Sequence, residues 1–345
     1  MPDNIALELS DITKRFGSVV ANDKVNLILG KGEILALLGE NGSGKTTLMN
    51  IISGIYYPDE GTIRINGEEA IIRSPKDSFK YKIGMIHQHF KLVDTFTAAE
   101  NIILGVKEKG FNIKKVNSRV SEIASKYGFD IDPTKKIYKM SVSEKQTVEI
   151  SKVLYRGADI LILDEPTAVL TPQEIDKLFS VLKNMRADGK SIIIITHKLN
   201  EVMAISDRVS VMRKGAYIGS VNTSETSEQE LTEMMVGQKV DLKIDRKKVE
   251  TTKPLLEIRD LEVKADDGSK AIDNVSFYIR GGEILGVAGV AGCGQKELCE
   301  AIAGLRPVKG AIMHKGESIV GMPPKEIIDK GVSMSFIPED RLGMG

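Results

Sequence analysis

Gly39-Glu40-Asn41-Gly42-Ser43-Gly44-Lys45-Thr46-Thr47 decides the fold, because it follows directly on the apolar run Ile34-Leu35-Ala36-Leu37-Leu38. A buried strand that feeds a glycine-rich loop, and then a helix beginning near Lys45, points successive backbone N–H groups into one concavity able to hold a polyphosphate. In that pattern Lys45 reaches the β- and γ-phosphates and the Thr46 hydroxyl ligates Mg²⁺. The plain alternative is a glycine-rich turn with no ligand. Strand, spacing and the Lys-Thr pair together argue against it.

Upstream, Leu7-Glu8-Leu9 alternates as a strand does, and Val25 to Leu29 gives another before the turn Gly30-Lys31-Gly32. Phe16 lies between them, either as core filling or, with a phosphate loop downstream, as a partly exposed ring that stacks on an adenine base. Past the loop helix, Tyr57 to Gly61 reads as a turn and Thr62 to Asn66 as a strand. Ile83 to Phe90 reads as a strand leaving the sheet with polar residues at its exit, which makes Gln88 a candidate ligand of Mg²⁺ and water. Ile160-Leu161-Ile162-Leu163 then runs into Asp164-Glu165-Pro166-Thr167. This puts two carboxylates at the C-terminal end of a buried strand, where an open α/β sheet binds its ligands. Asp164 is expected to hold Mg²⁺ through water, and Glu165 to orient or deprotonate the water that attacks the γ-phosphate. The strand Ser191 to Ile195 ends at Thr196-His197 on the same sheet edge, so His197 is expected to contact the γ-phosphate. Loop and acid pair together specify an NTPase.

Ala98 to Lys139 alternates apolar and charged positions at helical spacing, with breaks at Gly110 and Gly128, and suits a helical subdomain inserted into an α/β core. It ends at Ser141-Val142-Ser143-Glu144, which locally is a capping box. Val209 to Met212 and Gly215 to Val221 read as a hairpin, and Ser227 to Gly237 as a capped helix with a glycine stop. Gln238 to Pro254, with Lys243, Arg246, Lys247 and Lys248 among acids and threonines, reads as a solvated linker and not as a nucleic-acid arm. The chain then restarts: Leu256-Glu257-Ile258 echoes Leu7-Glu8-Leu9, and the loop glycines Gly289 and Gly294 stand 250 residues beyond Gly39 and Gly44. The second loop differs where chemistry matters, since Gln295 stands opposite Lys45 and Lys296 opposite Thr46. Phe336-Ile337-Pro338-Glu339-Asp340-Arg341 stands roughly where Ile86-His87-Gln88 stood, and no second acid pair or histidine follows. The expected domains are an ATPase domain at 1–238 (helical subdomain about 98–155), a linker at 239–254 and, at 255–345, the N-terminal part of a degenerate second copy that is cut short.

Composition is that of a globular protein: 345 residues with 48 basic and 48 acidic side chains, hence a formal net charge of +0 and no field to steer the chain to nucleic acid or anionic lipid. Two cysteines, Cys293 and Cys299, are too few for a disulfide framework, and the apolar runs fall well short of the ~20 residues that span a bilayer. A cytosolic site of action is expected, with any work at a membrane done by docking on another subunit.

With these residues assembled, the chain resembles the tandem ATP-binding subunits of ABC importers for monosaccharides and nucleosides. The likeness runs through Gly39–Thr47, Gln88, residues 140–146, Asp164 to Thr167, His197 and Pro338 to Arg341. Ile86 to Phe90 and Ala168 to Glu174 are most similar to the nucleoside-type branch. The resemblance implies a P-loop ABC-ATPase fold, with a mixed sheet core and an inserted helical subdomain. It implies ATP and Mg²⁺ as ligands, integral-membrane permease subunits and a separate solute-binding protein as partners, and a place on the cytoplasmic face of the membrane. It further implies that ATP is held between the phosphate loop of one domain and the signature of another. Here the signature is Ser141-Val142-Ser143-Glu144, with Val142 and Ser143 where glycines are usual, so that Ser143 adds a side chain where backbone approaches the γ-phosphate. The altered signature would face the altered loop at Gly289–Lys296 in a degenerate site. The intact loop would need a signature beyond Gly345, so slow hydrolysis by the chain alone is expected. A soluble tandem ATPase acting in DNA repair or translation is the main alternative. A small-molecule kinase, the other, leaves the repeat without explanation.

Overall fold

The computed structural model describes residues 4–88, 90–106, 112–239, 252–265, 268–289 and 293–332. His89, Gly110, most of the linker, the middle of the second glycine loop and Pro338 to Arg341 lie outside the described residues. The chain divides into two units, Met1–Leu242 and Lys243–Gly345.

The first unit begins β1 (Ile5–Phe16), β2 (Val19–Gly30), β3 (Ile34–Leu38), α1 (Lys45–Ile52), β4 (Glu60–Ile65), β5 (Glu68–Glu69), α2 (Pro75–Lys80) and β6 (Ile83–Ile86). It continues with α3 (Ala98–Ile103), α4 (Ile113–Tyr127), α5 (Val142–Tyr155), β7 (Ile160–Asp164), α6 (Pro172–Ala187), β8 (Ser191–Ile195), α7 (Leu199–Ile205), β9 (Arg208–Arg213), β10 (Ala216–Asn222) and α8 (Glu228–Val236). The strands order as β5-β4-β1-β2-β10-β9-β3-β8-β7-β6. β5, β4, β1 and β2 pair antiparallel, whereas β3 pairs parallel with β8 and β9, and β7 pairs parallel with β8 and β6. The sheet is therefore mixed, and it includes the expected β9–β10 hairpin.

The parallel strands β3, β7 and β8 are buried at every residue, as strands covered on both faces must be. Their side chains alternate between two cores. Leu35, Leu37, Ile162 and Ile193 join α1 and the antiparallel strands, while Ile34, Leu161, Leu163 and Ile194 pack on α6 and the end of α5. A third cluster, with Ala98, Ile102, Val116, Val120 and Val148, holds α3, α4 and α5 together as the inserted helical subdomain. Ser141 caps α5 through the expected capping box, its Oγ accepting from the Glu144 N–H and the Glu144 carboxylate accepting from the Ser141 N–H.

The second unit contains β11 (Pro254–Lys264), β12 (Lys270–Arg280), α9 (Gln295–Ile302), β13 (Val308–His314), β14 (Glu317–Ser318) and α10 (Pro324–Asp329), with the strands in the antiparallel order β12-β11-β13-β14. Its backbone repeats left-handed glycines of the first unit: Gly294 (φ 92) answers Gly44 (φ 95), Gly304 (φ 74) answers Gly54 (φ 77), and Gly310 (φ 100) answers Gly61 (φ 97). One echo fails locally. Residues 283–289, which follow the sequence pattern of β3, form no strand, and Ile284 is 92% exposed where Ile34 is fully buried. The reason is pairing: β3 is held between β8 and β9, and no described strand of the second unit flanks 283–289.

Gly84 on β6 sets how closely α5 lies on the sheet, since a Cβ there would stand 2.7 Å from Val153 Cβ and 3.2 Å from Ala158 Cβ. Gly84→Ala should lower the stability of this protein by about 1–3 kcal/mol through overpacking, read as an earlier urea unfolding midpoint.

Candidate functional site

β3, β6, β7 and β8 run parallel, so the segments that leave them emerge at one edge of the sheet. Gly39–Thr47 leaves β3, Gln88 follows β6, Glu165 follows β7 and His197 follows β8. Gly39 and Gly44 are required by close approach as well as by conformation. A Cβ on Gly39 (φ 156) would meet the Met212 carbonyl at 2.3 Å, and one on Gly44 (φ 95) would meet the Ala21 carbonyl at 2.2 Å. Asn22, fully buried on β2, donates from Nδ2 to the Gly44 carbonyl at 3.1 Å and steadies the loop from below. Glu40, Asn41 and Gly42 form its exposed crown, Ser43 is buried, and Thr46 and Thr47 open α1.

Lys45 is 7% exposed and folds back over the loop, donating to the carbonyls of Gly39 at 2.7 Å and Glu40 at 2.9 Å. Burial pulls its ammonium below the usual lysine range, against the attraction of Glu165 and Asp164. Asp164, 7% exposed, moves the other way, as burial and the neighbouring Glu165 raise its carboxyl while Lys45 and the Thr46 hydroxyl oppose the shift. A cation is thus destabilised beside an anion that is also destabilised, the electrostatic state of a cradle that an incoming anion with its own metal relieves.

Glu165 is the meeting point of the site. Its Oε2 accepts from Gln88 Nε2 at 2.9 Å, and its Oε1 lies 3.2 Å from His197 Nδ1. Its backbone is left-handed, with φ at 46°, and its N–H donates to the Ile195 carbonyl at 2.9 Å. A non-glycine residue in this region carries strain of order 1–3 kcal/mol and persists only where its surroundings hold it. Two side chains, 77 and 32 residues away in sequence, therefore converge on one carboxylate.

Phe16, at the end of β1, is 43% exposed, with the Lys14 ammonium 5.6 Å from its ring. Tyr56 stands edge-on to Phe16, with centroids 5.2 Å apart and planes at 71°. Tyr56 was not among the sequence candidates. It follows the loop helix α1 in an aromatic pair with Tyr57, but its sequence distance from Phe16 hides the contact. Ser141, Val142, Ser143 and Glu144 stand at the start of α5, where Glu144 pairs with Lys135 at 2.6 Å, and Val142, 40% exposed, lines one cavity with Gln88.

Thr46, Asp164 and Gln88 offer hard oxygen donors, and among the described residues no group of three or more His, Cys, Asp or Glu side chains could cage a metal. That donor set fits Mg²⁺, which keeps several waters and takes substrate phosphates rather than a full protein shell. In the second unit Gln295 Nε2 donates to the Gly289 carbonyl at 3.1 Å, so a neutral amide occupies the role that Lys45 has on Gly39.

A family model described as ABC transporter matches residues 22–168, from the strand beneath the loop to the turn beyond the acid pair. The chain belongs to this family, among its import ATP-binding proteins. It is 48% identical to the nucleoside import ATP-binding protein NupA of Lactococcus lactis over 99% of this chain and 68% of that protein. It is 44% identical to the glucose import ATP-binding protein TsgD13 of Haloferax volcanii over 97% of this chain and 66% of that protein. The chain thus spans about two thirds of the length of these relatives. Among solved structures, an ATP-binding cassette of an ABC transporter in its ADP conformation is 25% identical, with a TM-score of 0.60, over 68% of this chain and 99% of that one.

Because burial holds the Asp164 carboxyl above its ordinary value, the folded chain retains a proton that the unfolded chain has released, and stability falls as pH rises from the ordinary aspartate range through the raised one. Asp164→Asn removes that cost. The nucleotide-free variant should melt higher than the parent at neutral pH, with the gap closing as the pH drops below the ordinary aspartate range. Lower melting at neutral pH contradicts this assignment.

Proposed function

We propose that this chain is the ATP-binding and ATP-hydrolysing subunit that energises solute import through an ABC transporter. The observation that carries the reading is the convergence of Gln88 and His197 on Glu165, beside a phosphate loop whose buried lysine folds over the loop carbonyls. In this reading the backbone N–H groups of Gly39–Thr47 and Lys45 bind the β- and γ-phosphates, Phe16 stacks on adenine with Tyr56 as its backing ring, and Glu165 accepts the proton of the attacking water. His197 fixes the orientation of Glu165 and meets the γ-phosphate, and Gln88 links the site to the segment entering the helical subdomain. Mg²⁺, held by Thr46 and, through water, by Asp164 and Gln88, would neutralise charge developing on the phosphate oxygens.

Import of a nucleoside or a sugar is supported by the names of the relatives, of which the nucleoside importer is the more similar. The partners would be integral-membrane permease subunits and a separate solute-binding protein, and the chain would sit at the cytoplasmic face. In keeping with a peripheral place, no helix among the described residues is long and apolar enough to cross a membrane. A degenerate second copy at 255–345 is supported by the left-handed glycines that recur 249 or 250 residues on, and by Gln295 in the lysine position. Its loop would hold phosphate weakly at best, without the charge of Lys45. Ser141 to Glu144 would act as the signature segment of the first unit. DNA repair or translation as a role draws no support from the relatives, whose names are those of importers.

Glu165→Gln in the full-length protein, assembled with its permease, should keep nucleotide affinity and lower ATP turnover by roughly 10²–10⁴. Turnover within twofold of the parent removes Glu165 from the chemistry.

A further inference from the structure

Behind Glu165 and His197 lies a polar cluster that the proposed chemistry does not use. Thr167, two residues past Glu165, and Thr196, directly before His197, are each 2% exposed, and Glu201 on α7 is 4% exposed. Thr167 Oγ1 donates to Glu201 Oε2 at 2.6 Å, and Thr196 Oγ1 donates to the same oxygen at 3.2 Å. Lys198 Nζ stands 2.9 Å from Glu201 Oε1, an ion pair rather than an aligned hydrogen bond, and donates to the Thr167 carbonyl at 3.1 Å. The Lys198 N–H donates in turn to Thr196 Oγ1 at 3.1 Å. One buried carboxylate oxygen therefore ties together the exits of β7 and β8.

An ion pair whose lysine side chain is 34% exposed adds little net stability, so what the buried Glu201 carboxylate contributes here is direction. Glu165 needs such a constraint. Its φ of 46° is strained, and its carboxylate keeps His197 at 3.2 Å only while the two strand exits hold their spacing. Displacement of a reacting group by about 1 Å costs on the order of 100-fold in rate.

We propose that Glu201 is a positioning residue for hydrolysis: through Thr167 and Thr196 it fixes Glu165 and His197 relative to one another, without itself touching nucleotide. The proposal rests on the assignment of Glu165 as the hydrolytic base, and its test separates the two.

In the full-length protein assembled with its permease, Thr167→Val and Thr196→Val each remove one hydroxyl at constant shape, and Glu201→Gln keeps an acceptor oxygen while turning an amide toward Lys198. Each variant should lower the single-turnover rate of ATP hydrolysis at least tenfold and leave the Kd for Mg-ATP within twofold. Added to Glu165→Gln, each should cause no further loss, as expected of groups acting through one carboxylate. Glu201→Gln should be the mildest if the acceptor oxygen is what matters. Folded variants with unchanged rates, losses that add fully to that of Glu165→Gln, or a Kd that weakens in step with the rate would each overturn the proposal. If Glu165→Gln alone hydrolyses ATP normally, the assignment of Glu165 fails first; if Glu165→Gln is inactive and the valine variants are not, only the role of Glu201 fails.

Discussion

The in-register parallel pairing of β3, β8, β7 and β6 is the constraint on which the rest of the first unit depends. Parallel pairing sends every strand out at the same edge, so residues scattered from 39 to 197 meet there without a dedicated framework of loops. It also demands cover on both faces, which α1 and the antiparallel strands give on one side and α6 with the end of α5 on the other. The helical subdomain is joined to this core through β6 and α5, whose closest approach is set by the missing side chain of Gly84. Gln88, which follows β6, donates to Glu165.

The second unit illustrates the same constraint from its other side. Its antiparallel part forms with a core of its own, including Ile258, Leu261, Leu298 and Ile312. Antiparallel neighbours close in sequence need nothing more than a hairpin and a returning strand. Residues 283–289 have the sequence of a buried parallel strand but find no partner among the described strands, and they form no regular structure. Yet the turn glycine Gly294 keeps its conformation against the Ala271 carbonyl, as Gly44 does against Ala21. Local backbone demands persist where long-range pairing is missing.

Much of the site was legible because its signals are local. Glycines at fixed spacing ahead of Lys45, and paired acids after four apolar residues, each announce a strand end within ten residues of chain. Gln88 and His197 were legible only through their position at strand ends. Tyr56 and Asn22 were not, because what matters in each is a contact across the fold, with Phe16 and with the Gly44 carbonyl. Glu201 was hidden for a further reason: a glutamate in the first turn of a helix reads as ordinary surface charge, and nothing in its neighbours announces that it is 4% exposed. The loss of strand structure at 283–289 could not be read locally either, since the segment itself repeats the pattern of β3 and only its partners differ.

The central claim is that one competent phosphate loop, Gly39–Thr47, serves this chain, while the second loop, with Gln295 in the position of Lys45, does not hold a triphosphate. Equilibrium binding of Mg-ATP to the purified chain measures this directly as a stoichiometry. One nucleotide per chain, lost on Lys45→Ala, is the predicted result; two per chain, or one that survives Lys45→Ala, would contradict it.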